Sequence, residues 1–404
     1  MSLSAADTFD VAIAGAGPAG TSAAIQLAQS GARVLLVEEK KFPRAKLCGE
    51  FISPECLAHF QRLDVMQEMK AAAGVDLSET VFYSRRGKSV AVPSEWFKRG
   101  TQALGLSRSE MDLQLLKRAV SAGVVVLEET HASRPILEND MVRRLRLKVG
   151  DATHDYDALV TIDATGRTRA LARHLDSTAV NRNRQKSSWV AFKAHLENTR
   201  VAAGACEIYF YEHGYGGLSS VEGGLSNLCF IVAAGDVRRL GSDPDLVLKE
   251  VVMKNSRAAY TLGEARTHTP WLSVALESFG RRTLVPAAGM LTVGDAAAFI
   301  DPFTGSGMLM ALESGQVAAE VIARNLADLR RGGGFEPLAN DYRNEYRRRF
   351  ASRLRVSGLL RRAAFFPRLA EVAIILSGAS SGLRRKLAQA TRGSRSQEAK
   401  ASSV

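Results

Sequence analysis

FDVAIAGAGPAG, residues 9–20, with the apolar stretch that follows and ends on Glu38, is the part of this 404-residue chain whose reading decides the fold. Phe9 to Gly15 is a short apolar run closed by glycine, which predicts a buried strand. Ala19 to Ser30 has helical composition, Gly31 stops it, and Arg33 to Val37 resumes a strand. Strand, helix and strand in so short a span make a βαβ unit with a parallel pair. Gly15, Gly17 and Gly20 fall at its first turn in a Gly-x-Gly-x-x-Gly pattern. Gly15 permits the tight turn, Gly17 lets the backbone approach a pyrophosphate, and Gly20 lets helix pack closely on strand. The free N–H groups of the helix start, around Pro18 and Ala19, then face the phosphates. Glu38 stands 23 positions after Gly15, where an acid accepts hydrogen bonds from adenosine ribose hydroxyls. Glu39 follows it, where a 2′-phosphate would want a base. The turn is built for FAD or NAD.

A second segment, residues 291–308 (LTVGDAAAFIDPFTGSGM), decides between the two. An apolar strand, Met290–Val293, delivers Gly294 and Asp295 to its end, and Gly305-Ser306-Gly307 opens a long helix over residues 306–325. An acid at a strand end can hold a sugar-alcohol hydroxyl. A glycine-rich helix start can set its positive end against an electron-rich ring, whose negative charge grows when a flavin accepts hydride. An NAD dehydrogenase has no use for a second element so far downstream, so the cofactor expected is FAD.

The successive segments Gly15–Gly20, Glu38, Ser107–Asp112, Asp163–Arg167 and Gly294–Met308 resemble, in order and spacing, the motifs of flavoproteins related to para-hydroxybenzoate hydroxylase. Lys46-Leu47-Cys48-Gly49-Glu50 and residues 301–308 resemble most the geranylgeranyl reductase and flavin-dependent halogenase branch. The resemblance implies that Asp295 contacts the ribityl chain and that Arg108 reaches the cofactor from its helix start. It also implies that Asp163 and Gly166 lie near the pyrophosphate, that Gly305, Ser306, Gly307 and Met308 lie against the pyrimidine side of the flavin, and that Cys48 and Gly49 lie near the ring. Ala164 replaces the glycine of the hydroxylases' Asp-Gly pair. Neither the Tyr-x-Trp-x-Phe-Pro segment of the reductases nor the Trp-x-Trp-x-Ile-Pro segment of the halogenases is present, which argues against halogenation and leaves membership among the lipid reductases open.

The expected fold is α/β: a Rossmann-type FAD-binding domain (5–78, 100–180 and 285–330) carrying an inserted antiparallel substrate sheet (79–99 and 181–284). A C-terminal helical region (335–392) and a disordered tail (393–404) follow. Helix 111–122, strands 124–127 and 158–162, and a helix-like stretch 243–253 complete the reading. Aromatic and β-branched residues between glycines in Tyr209–Ser219 suit the wall of a pocket for a flat or greasy substrate. His213 and Tyr215 are candidate proton donors there, and Cys48 is the third catalytic candidate. A buried strand and turn for His213, and an inert buried thiol for Cys48, are the plainer readings.

Composition excludes several classes. Four cysteines form no CxxC pair and no metal spacing, so no metal is expected and a reducing cytoplasm is the default. The N-terminus lacks the features of a signal peptide, and no apolar run approaches a bilayer span. The net charge of +12 sits in the tail: residues 341–404 hold 15 Lys and Arg against 4 Asp and Glu, the first 340 residues 39 against 38. With no aromatic interleaving, nucleic-acid binding is not expected. The basic C-terminal helices read either as a lid with a solvated face or as a peripheral membrane contact. The expected activity is reduction of a double bond in a lipophilic, isoprenoid or polyketide-like substrate, driven by NAD(P)H through FAD. The alternatives are FAD-dependent hydroxylation of an aromatic or polyketide substrate, and a non-catalytic flavin-binding protein recruited to membrane.

Overall fold

The computed structural model describes residues 8–175, 188–276, 279–301, 303 and 305–364, together with residues 382 and 385. Thr8–Ala14 forms the centre of a seven-stranded sheet whose order runs Val125–Leu127, Val34–Val37, Thr8–Ala14, Ala152–Asp163, Met141–Val149, His131–Glu138. The first four are parallel. Met290–Thr292 adds in parallel beside the end of Ala152–Asp163, beyond the point where Met141–Val149 has peeled away. Ala14 is level with Val37 and Asp163, and Asp163 with Thr292. The loops that begin at Gly15, Glu38, Ala164 and Val293 therefore emerge side by side at the carboxyl ends of the strands, where open α/β sheets bind ligands.

Small residues set the helices above these ends. Pro18–Gln29 packs on Gly307–Arg330, and a Cβ on Gly315 would lie 2.2 Å from the Ala19 carbonyl oxygen. The Ser22 hydroxyl donates to the Leu312 carbonyl across that contact (2.9 Å). The last described helix, Glu336–Ala364, is fastened back to the sheet by the Tyr342 hydroxyl, which donates to the Thr292 carbonyl (2.6 Å).

An eight-stranded sheet forms the second layer: Arg266–Thr267, Trp189–Glu197, Ser226–Ala233, Gly214–Ser220, Ala205–Tyr211, Glu79–Tyr83 and Ser89–Pro93, with Leu272–Leu276 also paired to Trp189–Glu197. All pairs are antiparallel except Ala205–Tyr211 with Glu79–Tyr83. Alternation along a strand gives it two faces. Phe192, Ala194 and Leu196 join Phe230, Val232 and the segment 237–262, which contributes Val237, Val247 and Leu262, in one core. Ala191, Lys193 and His195 fall on the opposite face.

The expected α/β architecture, with its inserted antiparallel sheet and C-terminal helix, is the one observed. Boundaries move by a few residues: helix 111–122 starts at Arg108, helix 306–325 runs Gly307–Arg330, and strand 158–162 is the end of the twelve-residue Ala152–Asp163. The stretch 243–253 divides into Pro244–Glu250 and the single turn Val252–Lys254. A small sheet of Phe51–Ile52, Ala103–Gly105 and Val75–Leu77 had no sequence expectation. Nor had the strands His131–Glu138 and Met141–Val149. Residues 365–392 apart from 382 and 385, the tail 393–404, and residues 176–187 lie outside the described residues. Among the described residues no helix is long and apolar enough to cross a membrane.

Candidate cofactor and substrate site

One cavity of about 690 Å³ lies between the carboxyl ends of the parallel strands and the inner face of the second sheet. Gly15, Gly17, Pro18, Ala19, Glu38 and Glu39 line one part of it, and Gly294, Asp295, Gly305, Gly307 and Met308 another. The two distant glycine segments thus share a single channel. Cys48, Gly49, Arg108, Gly166 and Tyr215 also line it. Gly20, Asp163, Ser306 and His213 do not.

The glycines differ in what they do. A Cβ on Gly20 would sit 1.9 Å from the Gly15 carbonyl oxygen, so Gly20 serves helix packing. Gly15 has φ +102° and its Cβ would meet the Ala164 carbonyl at 2.4 Å. A Cβ on Gly17 would find nothing nearer than Arg108 Nη2 at 3.8 Å. The protein itself leaves that space open, on the cavity side, beside a cation. Such a cradle fits a pyrophosphate.

Glu38 accepts from Ala16 N (3.0 Å), Lys40 N (3.1 Å) and Arg44 Nη2 (3.2 Å). A carboxylate offers about four lone-pair positions, so one remains for a ribose hydroxyl. Arg108 is buried and paired bidentately to Asp112, at 2.8 and 2.7 Å. Burial works against its charge, but the Asp112 carboxylate outweighs burial and holds the guanidinium pKa above its usual range. The arginine is a fixed cation in the cavity wall, not a surface ion pair. Asp295 faces the cavity with no hydrogen-bond partner among the described residues. Burial raises its pKa, against the pull of Arg167, Arg108 and Lys46. An acceptor waiting at a strand end fits a ribityl hydroxyl. The residues present therefore fit FAD, with Glu38, Gly17, Arg108, Asp295 and the Gly305–Met308 turn as the groups that would hold it.

Asp163 is turned away from the cavity. It accepts from Thr165 N (2.9 Å), Thr165 Oγ1 (2.6 Å) and Ala172 N (2.9 Å), and so shapes the loop Ala164–Gly166 that does line it. His213 sits at φ +58° in the hairpin turn after Tyr211, exposed, against Asp236 at 3.3 Å. Tyr215, two residues on, is buried and donates to Asp301. Burial, and then the Asp301 charge, push its pKa well above the ordinary range, so the hydroxyl stays protonated. Burial also raises the Cys48 thiol, against the Arg108 charge, which keeps it neutral.

Sequence reasoning missed a charged cluster at the cavity edge. Glu50 lines the cavity, is fully buried, and accepts from Arg108 N (2.9 Å), Lys193 Nζ (3.0 Å) and His195 Nε2 (2.6 Å). Burial alone would raise its pKa, but the His195 hydrogen bond and the Lys193 charge outweigh it and hold the carboxyl below the usual range. The available signal was a lysine and a histidine two apart in an otherwise apolar strand, on one face. Arg44, bridging Glu38 and Asp112, was missed as well.

A parallel sheet with a glycine turn, a ribose-side acid and a second strand-end acid over one channel defines a Rossmann-type flavoprotein. The chain belongs to the FAD binding domain family, whose sequence pattern matches residues 8–356. It is an FAD-dependent oxidoreductase. It is 27% identical over 332 residues to digeranylgeranylglycerophospholipid reductase of Methanosarcina mazei, covering 78% of this chain and 75% of that protein. It is 26% identical over 344 residues to menaquinone reductase of Mycolicibacterium smegmatis, covering 78% and 76%. In fold it is similar to a geranylgeranyl bacteriochlorophyll reductase-like protein from Thermoplasma acidophilum (TM-score 0.78, 20% identity, 96% of each chain). The myxobacterial chondrochloren halogenase is also similar (TM-score 0.78, 21% identity, 96% and 94%).

Proposed function

We propose that this protein reduces a carbon–carbon double bond in a lipophilic, isoprenoid-like substrate, with electrons drawn from NAD(P)H. The observation that carries the reading is the composition of the cavity beyond the Cys48 and Met308 end. Phe82, Val90, Ile208, Phe210, Leu276 and Phe303 make an apolar compartment continuous with the cofactor channel. Phe303 packs against Phe82, Phe210 and Tyr215 with ring centroids 5.9, 5.6 and 5.5 Å apart. Such a wall binds an alkenyl chain and excludes water.

Bound FAD supplies the hydride chemistry. The chain supplies position and protons. Among the described residues Tyr215 is the one phenol in this wall, and its protonated hydroxyl, oriented by Asp301, is placed to deliver a proton to a reduced substrate. Cys48, as a neutral thiol, contributes packing at the boundary between the two compartments. The names of the reductase relatives support a lipophilic substrate.

The test uses FAD-loaded protein under strict anaerobiosis, with NADH or NADPH and a geranylgeranyl-bearing lipid or a menaquinone as probe. Product heavier by two hydrogens per reduced bond, with NAD(P)H-reduced flavin reoxidised by the probe without O₂, is expected. An absolute need for O₂ and a product gaining oxygen would establish hydroxylation instead. Bound FAD that no reductant bleaches would establish a non-catalytic flavin binder.

A further inference from the structure

A second cavity, of about 360 Å³, lies between residues 281–285, Ala297 and the helix Glu336–Ala364, and it shares no lining residue with the first. Arg343, Tyr346, Arg347, Ala351 and Leu354 recur at three- and four-residue intervals, so one face of that helix meets the cavity. Arg281 and Arg282 approach from the other wall, and Leu284 and Val285 add apolar surface. Four arginines and, among the described residues, no carboxylate line the space.

Two acids of the same helix are already paired, and Asp295, whose charge reaches Tyr346, belongs to the lining of the first cavity. Glu336 pairs with Arg343 at 3.0 Å, and Glu345 is taken by Arg348 (2.6 Å) and Arg349 (3.7 Å). Arg281 and Arg347 have no carboxylate partner among the described residues. Tyr346 is 4% exposed and lines this cavity, and its hydroxyl, itself shut off from solvent, has no hydrogen-bond partner among the described residues. Burial is the main cause that raises its pKa, so the group is a neutral donor without an acceptor. Clustered guanidinium groups repel one another, and a phosphate ester relieves that repulsion. Guanidinium forks match phosphate oxygens bidentately.

We propose that this cleft binds a phosphate or diphosphate ester, at a site separate from the FAD cavity. The apolar floor leaves room for a flat or alkyl portion next to the phosphate. Two small molecules carry this chemistry: a nicotinamide nucleotide arriving as electron donor, or a phosphate-bearing lipophilic substrate. The proposal stands whether or not double-bond reduction is the reaction.

The test is calorimetric titration of FAD-saturated protein with inorganic diphosphate at low ionic strength, so that the cofactor site is filled. Wild type should bind. The double variant R281Q/R347Q should bind at least about tenfold more weakly, as expected for the loss of charge-assisted bonds, with flavin content unchanged. Y346F, which removes the unpaired and inaccessible hydroxyl, should fold at least as stably as wild type and bind diphosphate as wild type does. Competition then assigns the source: displacement of diphosphate by NADPH marks the nucleotide, displacement by geranylgeranyl diphosphate the substrate. No heat with wild type, or equal affinity in R281Q/R347Q, would overturn the proposal.

Discussion

Glu50→Gln is the most informative single substitution, because it separates charge from shape at the place where the two sheets meet. The wild-type carboxylate accepts three donors, one of them the Lys193 ammonium, and Lys193 is only 2% exposed. Glutamine keeps the volume, but it cannot neutralise the buried ammonium and turns an amide donor toward donors. Breaking a buried ion pair by removing one partner costs about 3–5 kcal/mol. At roughly 2–4 °C per kcal/mol for a domain of moderate size, the midpoint should fall by at least about 6 °C. Thermal unfolding of the FAD-loaded protein at pH 7.5, followed by circular dichroism, measures it. The double variant E50Q/K193M removes both charges and should be more stable than E50Q alone. The pH dependence has a definite sign. Because the folded Glu50 pKa lies below its ordinary value, its contribution is complete above about 4.3 and is lost as pH falls through the lower folded value. The gap between wild type and E50Q should therefore close only in that acid range. A loss below about 1 kcal/mol at neutral pH, or a double variant no better than E50Q, would refute the electrostatic account.

Gly17→Ala should fold with a midpoint near wild type and lose FAD affinity at least about tenfold, because its Cβ meets open cavity and not protein, whereas Gly20→Ala should lose stability outright through the 1.9 Å clash; thermal melts of the apo forms beside flavin titrations distinguish the two. Tyr215→Phe should lower kcat by roughly 10²-fold or more with FAD affinity retained, and His213→Ala should leave steady-state rates unchanged, since that side chain lies outside the cavity lining. His59 is buried, and burial followed by Arg62, Arg353 and Arg349 lowers its pKa to about 4. The carboxylate nearest it, Glu313 at 3.9 Å, is itself bound to Arg353. The stability tied to the neutral imidazole is intact above about 6.5 and is lost as pH falls from there to about 4. His59→Gln should flatten the stability profile in that window, which lies above the one assigned to Glu50; denaturant melts at half-unit pH steps would show it.

Local chemistry made the FAD end legible. Three glycines, two short apolar runs and one acid carry the whole βαβ reading between Phe9 and Glu38. The strands of 131–149 had no such signature, for reasons the structure supplies. His131–Glu138 is the sheet's outer strand and tolerates Pro135, which reads as a break. Met141–Val149 carries Arg143, Arg144, Arg146 and Lys148, and a register shift between Val142 and Arg144 interrupts its alternation of buried residues. The hairpin at Tyr209–Ser219 was legible as a wall, but not which residue of it faces inward. His213 takes the turn conformation, and Tyr215, one alternation into the next strand, takes the cavity.

What could not be read at all was the join between the two halves, since its partners lie far apart in sequence. Glu50 stands 143 positions from Lys193 and 145 from His195. The same carboxylate receives the N–H of Arg108, whose side chain stands beside Gly17 and is fixed by Asp112. Asn227, level with His195 in the neighbouring strand, donates to the Cys48 carbonyl at 3.1 Å. One short segment, residues 48–50, is therefore hydrogen-bonded both to the start of the Arg108 helix, beside Gly17, and to the second sheet. Apolar contacts could close these two layers over many relative positions. A buried carboxylate with three directional donors accepts only one, and that single position is what makes the cofactor channel and the apolar compartment one continuous space.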